Sequence, residues 1–298
     1  MKKIAVLMST YNGEKYIEQQ IKSILAQENV DVTLYIRDDG SFDNTVYCIK
    51  KFQDKNINII IGDNKGPCNS FLELVNLVDD TYDYYAFSDQ DDVWLPQKLK
   101  KSIDLIEKIN VSEKSCLYYS NQTFVNEDLV EMDITKKNRR RYSFKFSLIR
   151  SNFPGCTMLF NKKTMLIMKQ YKAKNQIMHD QYVFQIVSGC GGTIIYDSNS
   201  YIKYRLHGTN VSNYSSSMVK RIKKLVKDYK EPQKRSDALI ELYSNYGTLM
   251  TAENKKILKE YAFYKYKNLF RRAWLGLMID DSIKYKVLAS ISMILKKF

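Results

Sequence analysis

Through the first two hundred residues, short apolar runs alternate with stretches in which apolar positions recur every three or four residues. The runs at 4–8, 32–37, 57–61, 84–88, 117–120, 157–160 and 193–196 predict strands. The clearest helix begins near Glu14, where Ile17, Ile21, Ile24 and Leu25 fall at i, i+4, i+7 and i+8 and share one face. Further helices are expected over 43–53, 69–78, 96–109, 162–170 and 180–188. Strands and helices alternating in this way build an α/β fold, a mainly parallel sheet flanked by helices. From Ser215 the chain turns Lys-, Tyr- and Leu-rich with almost no strand signal, which predicts two to four amphipathic helices after a linker at 212–217. The expected organisation is one α/β domain over 1–213 and a basic helical extension over 214–298.

Composition narrows the class. With 298 residues, 44% of them hydrophobic and 27% charged, the chain can bury a sizeable core and is not a disordered tail. Five scattered cysteines with no CxxC pair argue against a zinc ribbon or a disulfide framework and fit a reducing, cytoplasmic compartment. The opening apolar run is too short for a signal peptide and reads as a first strand.

Charge changes the picture more. Of the net +14, residues 214–298 contribute 19 Lys and Arg against eight Asp and Glu, leaving 28 against 25 for residues 1–213. No zinc-finger spacing, aromatic-basic RNA motif or basic-region heptad accompanies this excess, so no nucleic-acid partner is expected. An anionic membrane surface fits better. The most apolar window, 287–295, has nine residues, which is too short to cross a bilayer, so the expected contact is peripheral. The run 136–141 carries five cations in six positions and reads as a surface loop.

Candidate chemistry gathers where strands end. Asp89-Gln90-Asp91-Asp92 places three carboxylates in four positions directly after a predicted buried strand. One would serve as a helix cap; three there suit a hard divalent cation such as Mg²⁺ or Mn²⁺ with a diphosphate. Asp38-Asp39-Gly40-Ser41 follows the second strand and Ser9-Thr10-Tyr11-Asn12-Gly13 the first, so both turns face one crevice fit for a base or ribose. Neither GxGxxG nor GxxxxGK[ST] occurs, so a bound diphosphate would rely on metal and side chains rather than a glycine cradle. Both histidines lie in polar settings, His179-Asp180 and Arg205-Leu206-His207-Gly208. Asp180 heads a predicted helix, where N-capping is the plain reading. His207 can add a late nitrogen ligand to an oxygen-rich site, or simply lie on the surface.

These pieces in this order, with Gly155-Cys156-Thr157 between the acidic run and His179-Asp180, resemble family-2 inverting glycosyltransferases of the GT-A fold, most of all the bacterial rhamnosyltransferases. The resemblance covers residues 3–213. It implies that Thr10, Tyr11, Asn12, Asp38, Asp39 and Asp89 bind the nucleotide sugar, that Asp91 holds the metal with His207, and that Asp180 is the catalytic base. Gly155, Cys156, Thr157, Trp94 and His179 would line the acceptor or sugar pocket, and Arg205 and His207 would close on the donor. The implied reaction moves a sugar, L-rhamnose from dTDP-rhamnose, to a saccharide acceptor in cell-surface polysaccharide synthesis. A lipid-linked acceptor and a peripheral place at the inner membrane face follow from the same reading. The alternatives are a UDP-hexose or UDP-N-acetylhexosamine donor and, in another class, a non-catalytic module that binds anionic lipid or nucleic acid.

Overall fold

The computed structural model describes residues 1–52, 54–109, 114–134, 142–149, 153–208, 232–279 and 283–296. The basic run 136–141 and the linker 212–217 lie outside these residues. The chain forms β1 (Lys2–Thr10), α1 (Ile17–Leu25), β2 (Val30–Asp38), α2 (Thr45–Lys50), β3 (Ile57–Ile61), α3 (Pro67–Leu77) and β4 (Tyr84–Ser88). It continues with β5 (Val93–Trp94), α4 (Lys98–Lys108), β6 (Cys116–Val125), α5 (Phe144–Ser147), β7 (Leu159–Asn161), α6 (Lys162–Lys169), α7 (His179–Gly189) and β8 (Thr193–Arg205). Helices Pro232–Tyr246, Ala252–Ala262, Leu269–Leu277 and Ile283–Ile294 follow.

The strands form one sheet in the order β3-β2-β1-β4-β7-β6-β8-β5. β1 pairs in parallel with β2 and β4, β2 with β3, and β6 with β8; β7 and β5 are the two reversed strands. The mainly parallel α/β architecture expected from the alternating pattern is therefore the one observed. Ile4 to Met8 are all fully buried because β1 is covered on both faces. Alternation divides them: Ala5 and Leu7 join the core with α3 and α7, whereas Ile4, Val6 and Met8 join the core under α1, α2 and α4.

Three departures from the sequence reading matter for the site. The segment expected as a strand from 157 begins instead with a 3₁₀ turn, Gly155–Thr157, and β7 is only Leu159–Asn161. β8 runs on to Arg205 rather than stopping at 196, because Ser198 and Asn199 are carried through an irregularity in its pairing with β6. At that point Asn121 donates to the Ser198 carbonyl at 2.6 Å and accepts from the Tyr196 hydroxyl at 2.9 Å. β5, two residues long, carries no periodicity to read and is held by β8.

The tyrosines of the C-terminal region fit either an interface or a helical subdomain packed on the sheet; Tyr246, Tyr261 and Tyr264 are at most 1% exposed and share the core of the α3–α7 face, while Tyr266 is 84% exposed. The hydrophobic core thus runs on across the 213/214 boundary drawn from composition.

Candidate active site

The cleft opens at the carboxyl ends of β1, β2 and β4, the edge at which ligands gather on open α/β sheets. Its first wall is built by cross-linked loops. The Ser41 hydroxyl donates to Asp38 Oδ1 at 2.6 Å and accepts from the Asn12 amide at 2.9 Å, while Asn12 Oδ1 accepts from the Phe42 amide at 3.1 Å. Asp39 is 2% exposed and fully engaged. Arg37 donates to its Oδ1, and the amides of Lys65 and Gly66 donate to Oδ1 and Oδ2 at 2.9 and 2.8 Å. Gly66, at φ 77°, takes the left-handed turn that a Cβ would strain, and Pro67 then starts α3 with its φ already fixed. Arg37 is itself fully buried and also reaches Glu73 at 3.1 Å.

Two residues in this wall had no assigned role. Gln90, inside the acidic motif, accepts from the Thr10 hydroxyl at 2.5 Å and the Tyr11 amide at 2.8 Å and donates to the Tyr11 carbonyl at 3.1 Å. It fastens the end of β4 to the end of β1 and occupies the Thr10 side chain, which is 1% exposed. Phe42, 82% exposed, stands edge-to-face with Tyr11, 42% exposed, at 6.1 Å between ring centres. The aromatic rim was present in the sequence only as an apolar residue in a polar turn.

The acidic motif occupies the middle of the cleft. His207 Nε2 lies 2.7 Å from Asp91 Oδ2, so the two residues paired in the sequence reading meet at one point. The His207 ring also packs on Tyr16, 5.1 Å between centres. Asp92 is fully buried, its Oδ1 accepting from the Arg205 amide at 3.2 Å and its Oδ2 without a hydrogen-bond partner. Asp92 therefore caps no helix; α4 begins six residues beyond it, at Lys98, with Gln97 in the cap position. Burial raises its carboxyl well above the usual range, and the Asp91 and Asp89 charges add to this. Asp89 is pushed up to about 7, by burial first and by Asp91 second.

One group of potential ligands among the described residues, Asp89, Asp92 and Cys156, has its donor atoms within 4.8 Å of one another. Burial keeps the Cys156 thiol protonated, its pKa well above normal, so this group offers a neutral sulfur that suits Mg²⁺ or Mn²⁺ poorly. The Asp91 carboxylate with the His207 imidazole is the better match for a hard or borderline divalent cation. Asp92 Oδ2, in the same acidic turn, is a buried oxygen without a hydrogen-bond partner, which a cation bound there would satisfy.

Arg205 does not behave as a closing lid residue. It is 2% exposed at the end of β8, and its guanidinium donates to the carbonyls of Asp91 (2.9 Å) and Glu127 and to Gln19 Oε1 (2.5 Å). It fixes the backbone of the acidic turn in place.

The opposite wall is the 3₁₀ turn and the start of α7. Met178 takes the N-cap position, which puts Asp180 in the first turn of α7 rather than in the cap. The Gln181 amide donates to Asp180 Oδ1 at 2.6 Å. Asp180 is 4% exposed, and burial pushes its carboxyl up to about 8, with the charge of nearby Asp89 adding to the effect. His179 stacks on Phe71 at 3.8 Å and meets Phe87 edge-on at 4.7 Å. Neither of its ring nitrogens has a hydrogen bond, and burial drives its pKa down to about 3, so it is neutral. Gly155 sits against both residues: a Cβ there would lie 3.0 Å from His179 Nε2 and 3.2 Å from Asp180 Cβ.

Other expected pocket residues are less accessible. The Thr157 hydroxyl donates to the Pro154 carbonyl at 2.9 Å and accepts from the Ser120 amide at 3.1 Å, holding the turn. Cys156 is 2% exposed behind Asp89 and Asp92. Trp94 requires a correction: it is 2% exposed in the core under α1 and α4, with the Lys98 ammonium 3.6 Å from its ring centre, and does not line the cleft.

A cleft at the carboxyl ends of parallel strands with this acidic centre suits a nucleotide and a divalent cation, and comparison with known proteins gives the class. Residues 5–167 match the model of glycosyl transferase family 2, and the chain belongs to that family. Among its relatives is the dTDP-rhamnosyl transferase RfbG of Shigella flexneri, 30% identical over 236 residues that cover 73% of this chain and 78% of RfbG. The UDP-Glc:α-D-GlcNAc-diphosphoundecaprenol β-1,3-glucosyltransferase WfgD of Escherichia coli is 26% identical over 55% of this chain and 61% of its own length. In fold the chain is similar to S. aureus TarS residues 1–349 in complex with UDP-GlcNAc, with a TM-score of 0.57 and 16% identity over 98% of this chain and 89% of that one. The protein is a GT-A-type glycosyltransferase, as the motif order implied, and the non-catalytic reading is set aside.

Proposed function

We propose that the protein is an inverting rhamnosyltransferase that takes L-rhamnose from dTDP-rhamnose and passes it to a lipid-linked saccharide during cell-surface polysaccharide synthesis. The observation that carries the reading is the meeting of Asp91 and His207 at 2.7 Å in the acidic turn, with the buried carboxyl of Asp180 presented from the first turn of α7. In this reading the nucleotide base rests on the Tyr11–Phe42 rim, and the floor made by Asn12, Asp38 and Asp39 positions the ribose. Asp91 and His207 hold Mg²⁺ or Mn²⁺, which when bound neutralises the charge developing on the leaving diphosphate. Asp180 accepts the proton of the acceptor hydroxyl as that oxygen attacks the anomeric carbon from the face opposite the diphosphate, and one displacement inverts the centre. Gly155, lacking a side chain, lets the 3₁₀ turn come close against His179 and Asp180 and so helps set the position of the base.

The rhamnose assignment follows the relative RfbG. WfgD, named for a UDP-Glc donor, favours a second reading with a UDP-hexose or UDP-N-acetylhexosamine. A panel of dTDP- and UDP-sugars, assayed for donor hydrolysis and transfer with Mg²⁺, Mn²⁺ or EDTA, separates the two. The expected result is turnover of dTDP-rhamnose that EDTA and Asp91→Ala abolish. Turnover of UDP-sugars alone replaces the donor, and binding of no nucleotide sugar removes the reading.

A further inference from the structure

Helices Leu269–Leu277 and Ile283–Ile294 pack against each other as a hairpin, with the Ser290 hydroxyl donating to the Ala273 carbonyl at 2.8 Å. Their inner side is settled: Leu275, Ile279, Ala289 and Met293 are buried in the core shared with the sheet. At about 100° per residue, Phe270, Trp274 and Leu277 then project from the far side of the first helix, and Val287, Ile291 and Leu295 from the far side of the second. All six are exposed, Phe270 by 84% and the others by 42–51%. A helix packed on a globular core normally turns polar residues outward; both helices of this hairpin turn apolar ones.

Charge identifies what covers this face. Residues 263–298 hold eight Lys and Arg against two Asp, whereas residues 1–213 are nearly balanced. The Arg271 guanidinium lies 4.2 Å from the Trp274 ring centre and shares Glu260 with Lys267, at 2.9 Å from each, so two cations against one carboxylate stand beside the apolar stripe. An apolar stripe with aromatic residues, bordered by cations, is complementary to a surface with anionic headgroups over acyl chains. Among the described residues no helix is long and apolar enough to cross a membrane.

We infer that the outer face of the 269–295 hairpin is a docking surface for an anionic phospholipid bilayer, with Phe270, Trp274 and Ile291 entering the headgroup–acyl boundary. The inference deepens the proposed function and rests on its lipid-linked acceptor for its purpose, since docking holds the enzyme where such acceptors diffuse.

Trp274 makes the test direct, because the chain has two tryptophans and the other, Trp94, is buried in the core. The full chain is mixed with vesicles of phosphatidylcholine, with or without about 30 mol% phosphatidylglycerol, carrying brominated acyl chains, at about 0.1 and 0.5 M NaCl. The expected result is quenching of Trp274 and co-sedimentation with the anionic vesicles, weakened ~10-fold by the higher salt and ~10-fold or more by Phe270→Ser with Ile291→Ser. Absence of quenching, or a double variant that binds as wild type does, overturns the inference. So does a concentration-dependent dimer that the double variant abolishes while vesicles bind nothing, because the face then joins two copies of the chain. Donor turnover with a soluble acceptor is read on the same variant. If turnover persists while vesicle binding fails in every sample, docking alone falls; if vesicles bind but no donor turns over, the proposed donor and reaction fall.

Discussion

Asp39 and Asp180 are almost equally buried, 2% and 4% exposed, and both lie in the cleft, yet their surroundings are opposite. Asp39 faces the Arg37 guanidinium and two backbone amides. Asp180 has backbone amides for partners but no cation among the described residues; around it stand neutral His179, the Cys68 thiol and the charge of Asp89. Burial alone therefore does not make a reactive carboxylate. A buried charge with a matched cation is scaffold, whereas one held with too few partners keeps a raised pKa and can exchange a proton near neutrality.

The largest expected effect is on the unpaired member. Asp180→Asn should lower kcat about 10³-fold, within the usual contribution of a general base, while donor affinity measured by calorimetry stays within a few-fold of wild type. The pH behaviour follows with opposite signs for rate and stability. The base must be ionised, so kcat/KM should rise with pH and level off above about 8. The folded state holds a proton that the unfolded chain, with its carboxyl near 3.8, releases. This contribution to stability is complete below pH 4 and is lost as pH rises toward 8. Asp180→Asn should accordingly raise the Tm of the ligand-free protein at pH 8 by about 2 °C or more and leave it unchanged at pH 4. A flat rate profile, or equal Tm differences at both pH values, would erase the contrast with Asp39.

The paired member should fail differently. Arg37→Leu leaves Asp39 buried without its cation and is expected to cost about 3–5 kcal/mol in urea unfolding, because removing one partner strands the other charge. Asp39→Asn with Arg37→Leu should recover part of that loss. A third substitution, His207→Ala, probes the metal pair and should weaken Mn²⁺ binding by calorimetry about 10-fold or more, with little change in unfolding midpoint.

Much of the fold behind this contrast was legible in the sequence. The strand runs and helix faces gave the sheet, because central parallel strands buried on both sides leave uninterrupted apolar text, as in Ile4 to Met8. The carboxylates stood out because three follow a buried strand. What the text could not carry was partnership. Asp38-Asp39 and Asp89-Gln90-Asp91-Asp92 look alike as acidic turns, and only the fold shows that Arg37 points back at Asp39 while Asp92 has an oxygen with no partner. Gln90 was hidden for the same reason, since its amide works across 79 residues of sequence to hold Tyr11. Trp94 misled because an aromatic beside an acidic motif reads as a pocket wall, and β5 turns it inward. The tyrosines of the C-terminal helices left two readings open, because their spacing cannot tell a face that packs on a sheet from one that meets solvent.

Gly155 offers the finest test, since it touches the unpaired carboxylate without being chemical itself. A Cβ at this position meets His179 Nε2 at 3.0 Å and Asp180 Cβ at 3.2 Å, closer than most side chains approach, so something must yield by a few tenths of an ångström. His179 is wedged between Phe71 and Phe87 and has little room to move. Asp180, held by the Gln181 amide at the first turn of α7, is the group that shifts. Misplacing a base by about 1 Å costs on the order of 10²-fold, so Gly155→Ala, with a smaller shift, should cost about 10-fold in kcat. The KM for donor should hold, because the Tyr11–Phe42 rim and the Asp91–His207 pair stand on other strands. Loss of donor binding instead would mean that this wall belongs to the nucleotide, and Asp180 would then be a donor contact rather than the base.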